Sequence, residues 1–118
     1  WRGLAGGVVE ATVAALGGDP ADLLAWLGPA IGQRAFEVGP EVQQVFTGRY
    51  PDSGACFEHN DQGRFQADLY GIARIVLARA GVGPVYGGGW CTATEAARFF
   101  SFRRDGITGR MATLAWLD

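Results

Sequence analysis

Phe99-Phe100-Ser101-Phe102-Arg103-Arg104-Asp105-Gly106-Ile107-Thr108-Gly109-Arg110 is the segment of the 118-residue chain best equipped for chemistry. Arg103, Arg104 and Arg110 lie close together there, beside the single carboxylate of Asp105. A guanidinium presents a planar fork of donors that matches phosphate or carboxylate with two parallel hydrogen bonds. The same fork can pair with Asp105 and pin a turn, since both uses need the same geometry. The cluster is therefore read as binding an anion or as holding the fold.

The other candidates are weaker. Cys56 and His59 stand at C-x-x-H spacing with Asp61 nearby, but zinc wants at least three protein ligands and no second cluster completes the set. Chance neighbours in a loop is the simpler reading. Cys91 and His59 are the residue types of a nucleophile and its base, yet nothing in the spacing unites them. Cys91 reads as a buried, inert thiol after a glycine bend. Gly87-Gly88-Gly89 lacks the fuller phosphate-loop patterns and reads as that bend. Glu37, Glu41, Asp68 and Asp105 could include a general acid or base, and spacing singles out none. Asp68 also suits a helix cap, and Glu41 a helix first turn.

These residues must be placed by helices and strands in mixture. Leu4, Val8, Ala11 and Ala15 recur at helical spacing, predicting one helix over 3–16 closed by Gly17-Gly18. Asp19-Pro20 reads as a cap and first helical position. Leu23 to Leu27 finishes that helix or forms a buried strand, and a short strand follows around Ala35 to Val38. Pro40 opens a helix through Phe46. Residues 47–64 are polar, with turn signals at Pro51-Asp52-Ser53-Gly54 and Asn60-Asp61-Gln62-Gly63, predicting a surface excursion with a small hairpin. Asp68 caps the clearest helix, whose apolar face carries Leu69, Ile72, Val76 and Leu77, with Arg74 and Arg79 off that face and Gly81 closing it. Val85-Tyr86 is a strand entering the glycine bend, Thr94 caps a short helix through Arg98, and Asp105-Gly106 is a turn. Met111 to Leu117 is apolar at alternating positions on both faces and reads as a strand buried on both sides. The fold class is mixed α/β (α+β), a sheet covered by helices.

Composition narrows the function classes. Hydrophobic residues make up 48% and charged residues 19% of the chain, which excludes disorder. No apolar run reaches the ~18–20 residues of a membrane span. A net charge of -2 argues against nucleic acid as a partner. All ten cationic residues are arginine, so arginine is the only cation available to hold phosphate. Two distant cysteines make no disulfide scaffold and fit reduced thiols in a cytoplasmic protein. No signal peptide is visible, and a start at Trp1-Arg2-Gly3 without Met reads as a processed, trimmed or truncated end.

Several blocks together carry a resemblance. Trp1-Arg2-Gly3-Leu4-Ala5, Ala25-Trp26-Leu27-Gly28-Pro29-Ala30-Ile31-Gly32, Phe36-Glu37-Val38-Gly39, Ala67-Asp68-Leu69, Gly88-Gly89-Trp90-Cys91-Thr92 and the Phe99–Arg110 segment run in order along the chain. Closed by Met111-Ala112 and Trp116-Leu117, they resemble the YfiH family, also called laccase-domain or polyphenol oxidase proteins and purine nucleoside phosphorylases. The resemblance implies a sandwich of sheets with helices outside. It implies zinc held by two histidines and a cysteine. It also implies phosphorolysis of adenosine, inosine and methylthioadenosine, and deamination of adenosine. An older description of the family is copper-dependent phenol oxidation.

In the family, a His-Ala-Gly whose histidine binds zinc directly precedes the Trp-Arg-Gly block, and the other two ligands lie further upstream. Cys56, His59 and Cys91 do not map onto those positions, so the resemblance puts no metal ligand and no catalytic residue in this chain. It implies that residues 1–118 are the C-terminal portion of one domain, packed against an N-terminal portion and inactive alone. The expected partners are purine nucleosides and phosphate. Arg2, Arg103, Arg104 and Arg110 are the candidate contacts for substrate or anion, Arg2 because it would lie near the metal-bearing segment. Phe102 stands where many members have tyrosine, which removes one hydroxyl. A catalytically inactive, shortened binding or structural domain is the alternative.

Overall fold

The structure, a computed structural model, describes residues 1–118. Its first apolar run folds as two helices, α1 (Arg2–Ala5) and α2 (Val8–Leu16), where one helix over 3–16 was expected. The break comes at Gly7, whose φ of 91° lies in the left-handed region that side chains disfavour. A Cβ on Gly7 would lie 2.7 Å from Nη2 of Arg49. That open space lets Arg49 donate to the carbonyl of Ala5 at 2.9 Å, so α1 is fastened from below.

Asp19 caps the next turn by accepting from the amide of Ala21 at 2.9 Å, though Pro20–Asp22 is a 3-10 turn. The open reading of Leu23–Leu27 resolves as strand β1 (Ala25–Leu27). A 3-10 turn over Gln33–Ala35 leads into β2 (Glu37–Val38). Helix α3 (Pro40–Arg49) begins at Pro40 as expected and runs on past Phe46.

The polar stretch 47–64 holds the first strand and the turn of the hairpin, β3 (Phe57–His59), whose partner β4 (Phe65–Ala67) lies just beyond it, and the first part of the stretch is core and not surface. Tyr50, Ser53 and Cys56 are all buried. Pro51–Cys56 is 3-10, with three residues per turn, so positions spaced by three share one inward side. The sheet order is β2-β4-β3, all antiparallel, with Val38 opposite Phe65 and Phe57 opposite Ala67.

Helix α4 (Leu69–Arg79) is capped by Asp68, whose carboxylate accepts from Gly71 at 3.0 Å. Its face Ile72, Val76 and Leu77 is buried, and with Phe46 of α3 and the inward residues of the antiparallel sheet it makes the core. Arg74, off that face, donates to the carbonyl of Gly87 at 2.7 Å. That contact ties α4 to β5 (Val85–Gly87), which runs parallel to β1 with Trp26 beside Tyr86. The chain then bends through Gly87 and Gly88, at φ 80° and 87°. Tyr70 of α4 reaches across to this region. Its hydroxyl accepts from Ala30 at 2.8 Å and donates to the carbonyl of Trp90 at 3.0 Å, tying the loop after β1 to the loop after β5.

Two expectations fail beyond Trp90. Residues 92–98 form turns and not a Thr94-capped helix. Glu95 folds back to accept from the amide of Cys91 at 2.7 Å, closing a local loop in place of a helical turn. A short helix, α5 (Phe102–Asp105), then stands before the turn expected at Asp105-Gly106. The segment Met111–Leu117 is not a buried strand. It pairs with neither sheet, and Leu114, Trp116 and Leu117 are 79%, 78% and 99% exposed. Alternating apolar residues bury only where a neighbouring strand supplies ladder partners, and the two sheets here leave this segment outside. The mixed α/β class stands. No helix is long and apolar enough to cross a membrane.

Candidate functional site

The arginine cluster divides once folded. Ser101 caps α5 by accepting from the amide of Arg104 at 3.3 Å, and the helical turn aims the Arg104 side chain back at the Thr92–Phe99 loop. Nη1 donates to the carbonyls of Thr92 at 3.0 Å and Ala93 at 3.2 Å, and Nη2 donates to Phe99 at 3.0 Å. Nε and Nη2 also meet the Asp105 carboxylate, at 2.9 and 2.8 Å. Hydrogen bonding from Arg104 holds Asp105 below the usual carboxylate range and outweighs the upward push of desolvation. The fork of Arg104 is thus engaged by its own chain.

Arg103 turns the other way. It stacks 5.0 Å from the ring of Phe36 and donates to the carbonyl of Glu37 at 2.7 Å. Arg2 lies 5.0 Å over the ring of Trp1. Arg110 is exposed and lines a cavity of about 500 Å³.

That cavity is the largest concave feature near the cluster. The loop after β1 gives it Pro29, and the segment before α5 gives it Arg98, Phe99 and Phe100. Thr108 and Arg110 close the other side. Arg98 was not singled out by sequence reasoning, although Glu95-x-x-Arg98 beside aromatics was a legible pairing signal. Its Nη1 is 3.0 Å from Glu95, and its guanidinium sits over the rings of Trp90 and Phe99 at 5.7 and 5.3 Å. The hydroxyl of Thr108 is shut from solvent and has no hydrogen-bond partner.

The cysteines and the histidine stay apart. Cys91 is half-buried and not the buried thiol expected. Gly32 donates to its sulfur at 3.2 Å. Burial pushes its pKa up, but the Thr94 hydroxyl and the amides of Gly32, Thr94 and Ala93 outweigh burial and bring the thiol below its usual range. Cys56 is core, its pKa raised by burial and by the carboxylates of Asp68 and Asp52. His59 belongs to strand β3 and packs on Phe65 at 4.3 Å between ring centroids. The groups around the Cys91 sulfur are amides and a hydroxyl, with no histidine among them.

The carboxylates are similarly engaged. Glu37 pairs with Arg64 at 3.2 Å and accepts from Asn60 at 2.7 Å, Asp68 caps α4, Asp105 holds Arg104, and Glu41 folds over Gly39. No three His, Cys, Asp or Glu side chains converge. The donor set of these residues does not fit a zinc or copper site, which needs three protein ligands or more.

Comparison with known proteins gives this geometry its context. The family model described as multi-copper polyphenol oxidoreductase laccase matches residues 1–118. A purine nucleoside phosphorylase of Pseudomonas aeruginosa is 53% identical over all of this chain and 49% of its own length. The purine nucleoside phosphorylase YfiH of Escherichia coli is 51% identical over 99% of this chain and 48% of its own length. The chain therefore spans about half the length of the curated relatives it matches. Among solved structures, a Neisseria meningitidis protein superposes with a TM-score of 0.87 at 52% identity, covering 90% of this chain and 44% of its own. A Bacillus licheniformis protein, YfiH, superposes at 0.83 with 29% identity, covering 90% of this chain and 42% of its own. With the family model spanning every residue and the fold shared at this level, the chain belongs to the laccase-domain family of YfiH proteins.

Proposed function

We propose that these residues are the C-terminal portion of a zinc-dependent purine nucleoside phosphorylase that also acts on methylthioadenosine and deaminates adenosine. The observation carrying this reading is the 53% identity, over the whole chain, to a protein named for that phosphorylase activity. The reaction joins a phosphate oxygen to C1′ of the ribose as the bond from C1′ to the purine nitrogen breaks. The base leaves with a proton, giving ribose 1-phosphate and a free purine.

Bound zinc would supply Lewis acidity and an activated water for deamination. Its ligands are proposed to lie outside these residues, whose donors do not fit it. What this chain contributes is scaffold and cationic contacts. Arg110 and Arg2 donate to no carboxylate and Arg103 is only partly engaged, so each retains donors for an anion. Arg104 contributes by holding the Thr92–Phe99 loop. The exposed apolar residues Leu114, Trp116 and Leu117 and those of α2 are proposed to pack against the portion of the domain that the longer relatives possess.

The test is release of hypoxanthine from inosine with inorganic phosphate, using the polypeptide encoded with the codons that precede Trp1. Phosphate-dependent release is expected, with none from residues 1–118 alone and no stoichiometric zinc on them. Stoichiometric zinc on the 118 residues, or no phosphorolysis by the longer polypeptide, overturns the reading. A second reading, copper-dependent oxidation of phenols, rests on the description carried by the matching family model. Turnover of a phenolic dye without phosphorolysis selects it. A frame that opens near Trp1 selects a shortened binding or structural domain.

A further inference from the structure

We propose that the cavity between the loop after β1 and the segment on either side of α5 is the phosphate seat of this protein, built from Arg98, Arg110 and the hydroxyl of Thr108. The proposal deepens the phosphorolysis reading and rests on it for the choice of phosphate among anions. Three observations carry it.

The first is charge. Two guanidinium groups line the cavity and no Asp or Glu does. Arg110 pairs with no carboxylate, and the one carboxylate partner of Arg98, Glu95, takes only Nη1. Two forks without a lining carboxylate give a concave site a positive potential, which suits a tetrahedral dianion with several acceptor oxygens. Arg104, the most conspicuous cation in the sequence segment, is excluded from this role because its donors already meet three carbonyls and Asp105.

The second is an unmet hydrogen bond. The Oγ1 of Thr108, a residue of the cavity lining, is closed off from solvent and bonded to nothing. A buried hydroxyl without a partner is uncommon, and this one gains a hydrogen bond by turning about its Cα–Cβ bond toward an anion seated in the adjoining cavity.

The third is preorganisation. The guanidinium of Arg98 sits over the rings of Trp90 and Phe99, so its fork is restricted before any ligand arrives. Gly109 lets the ring of Phe100 close against the backbone next to Arg110, since a Cβ there would lie 2.8 Å from that ring. The ~500 Å³ cavity, within the volume range of small-molecule sites, has room for a phosphate and an attached sugar.

The experiment is calorimetric titration of the longer polypeptide of the phosphorolysis test with inorganic phosphate, with no nucleoside present. Saturable binding is expected. R98Q and R110Q should each weaken it about tenfold, the loss of one charge-assisted pair, and T108V should weaken it several-fold. R98K and R110K should fall between, keeping the charge and losing the fork. R64Q, whose guanidinium belongs to the Glu37 pair on β2, should bind as the unaltered chain does. Arg98 and Arg110 are largely exposed, so circular dichroism of the variants should match that of the unaltered chain and keep a binding loss interpretable. Absence of saturable phosphate binding, or unaltered affinity in R98Q and R110Q, overturns the proposal. Because the titration needs no turnover, a seat that binds phosphate in a protein that fails to cleave inosine would sink the phosphorolysis reading and leave the site standing. Cleavage with unaltered phosphate use in R98Q and R110Q would do the reverse.

Discussion

Nη1 of Arg104 donates to the carbonyl oxygen of Thr92 across 3.0 Å, which binds α5 to the loop following Cys91. The bond is one of a set, since the same guanidinium also holds Ala93, Phe99 and Asp105. Lysine cannot reproduce a fork that serves three carbonyls and a carboxylate together. R104Q and R104K should therefore both lower the thermal midpoint, with little rescue by lysine. Asp105 is depressed in the folded state by its bond to Arg104, so its contribution is full above the ordinary Asp value of 3.8 and is lost as pH falls through the folded value. The gap between unaltered chain and R104Q should narrow in that acid window, read by thermal unfolding followed by circular dichroism. Coincident midpoints at neutral pH would refute the clamp.

The phenol of Tyr50 donates to the carboxylate of Glu10, joining α2 to the end of α3, and Arg49 pairs with the same carboxylate at 3.3 Å. Burial pushes Glu10 up, but the hydrogen bond from Tyr50, a backbone amide and the Arg49 charge outweigh it, so its folded pKa lies below the usual 4.5. Burial and then the Glu10 carboxylate push Tyr50 above its usual 10.0. Stability from Glu10 is thus present above pH 4.5 and lost as pH falls through its lowered folded value. Stability from Tyr50 is present below pH 10.0 and declines above it, where the unfolded chain loses the phenolic proton first. Y50F should cost about 1–3 kcal/mol in urea unfolding at pH 7, since it removes a partner from a carboxylate whose Oε2 already has none. The cost should shrink at both ends of the pH range. A pH-independent difference would refute the link.

Much of this was legible in the chain. Helix α4 follows from Asp68 and the Leu69, Ile72, Val76 spacing, and the hairpin follows from Asn60-Asp61-Gln62-Gly63, because both depend on neighbours in sequence. The parallel pairing of Ala25 with Val85 was not legible, since a three-residue strand bonded to one so distant leaves no local trace. Nor was the inward side of Tyr50, Ser53 and Cys56, where a period of three mimics loop polarity. The arginines show the same divide at the site. Their types announced anion chemistry, but backbone carbonyls, which have no sequence signature, decide that Arg104 is engaged while Arg98 and Arg110 face the cavity.

The two cysteines should differ in reactivity. Gly32 and the amides after Cys91 stabilise its thiolate and the residue is only half-buried, whereas Cys56 is buried with its pKa raised. Alkylation follows the thiolate and its access. At pH 7.5, Cys91 should react with iodoacetamide about tenfold or more faster than Cys56, being both the more accessible thiol and the one richer in thiolate. Peptide mass spectrometry over a time course reads both sites in one sample, and T94A should slow Cys91 by removing the hydroxyl that lowers its pKa. Equal rates in the folded chain would refute the assignment.

The Met111–Leu117 segment should make the 118-residue chain self-associate. Leu114, Trp116 and Leu117 are largely exposed, and Ile107 at 97% and Phe102 at 69% add to the exposed apolar surface. An apolar, strand-prone segment with no ladder partner offers both sticky side chains and open backbone donors and acceptors to another copy. Sedimentation velocity at increasing concentration should show dimers and larger species. A triple variant, L114S, W116S and L117S, should shift the distribution to monomer and leave the circular dichroism spectrum unchanged, because none of these side chains belongs to the core. If the segment docks on the remaining portion of the domain, the longer polypeptide should be monomeric with the same residues protected from hydrogen exchange, and the triple variant should lose that protection. A monomeric 118-residue chain at all concentrations would remove the driving force from both outcomes.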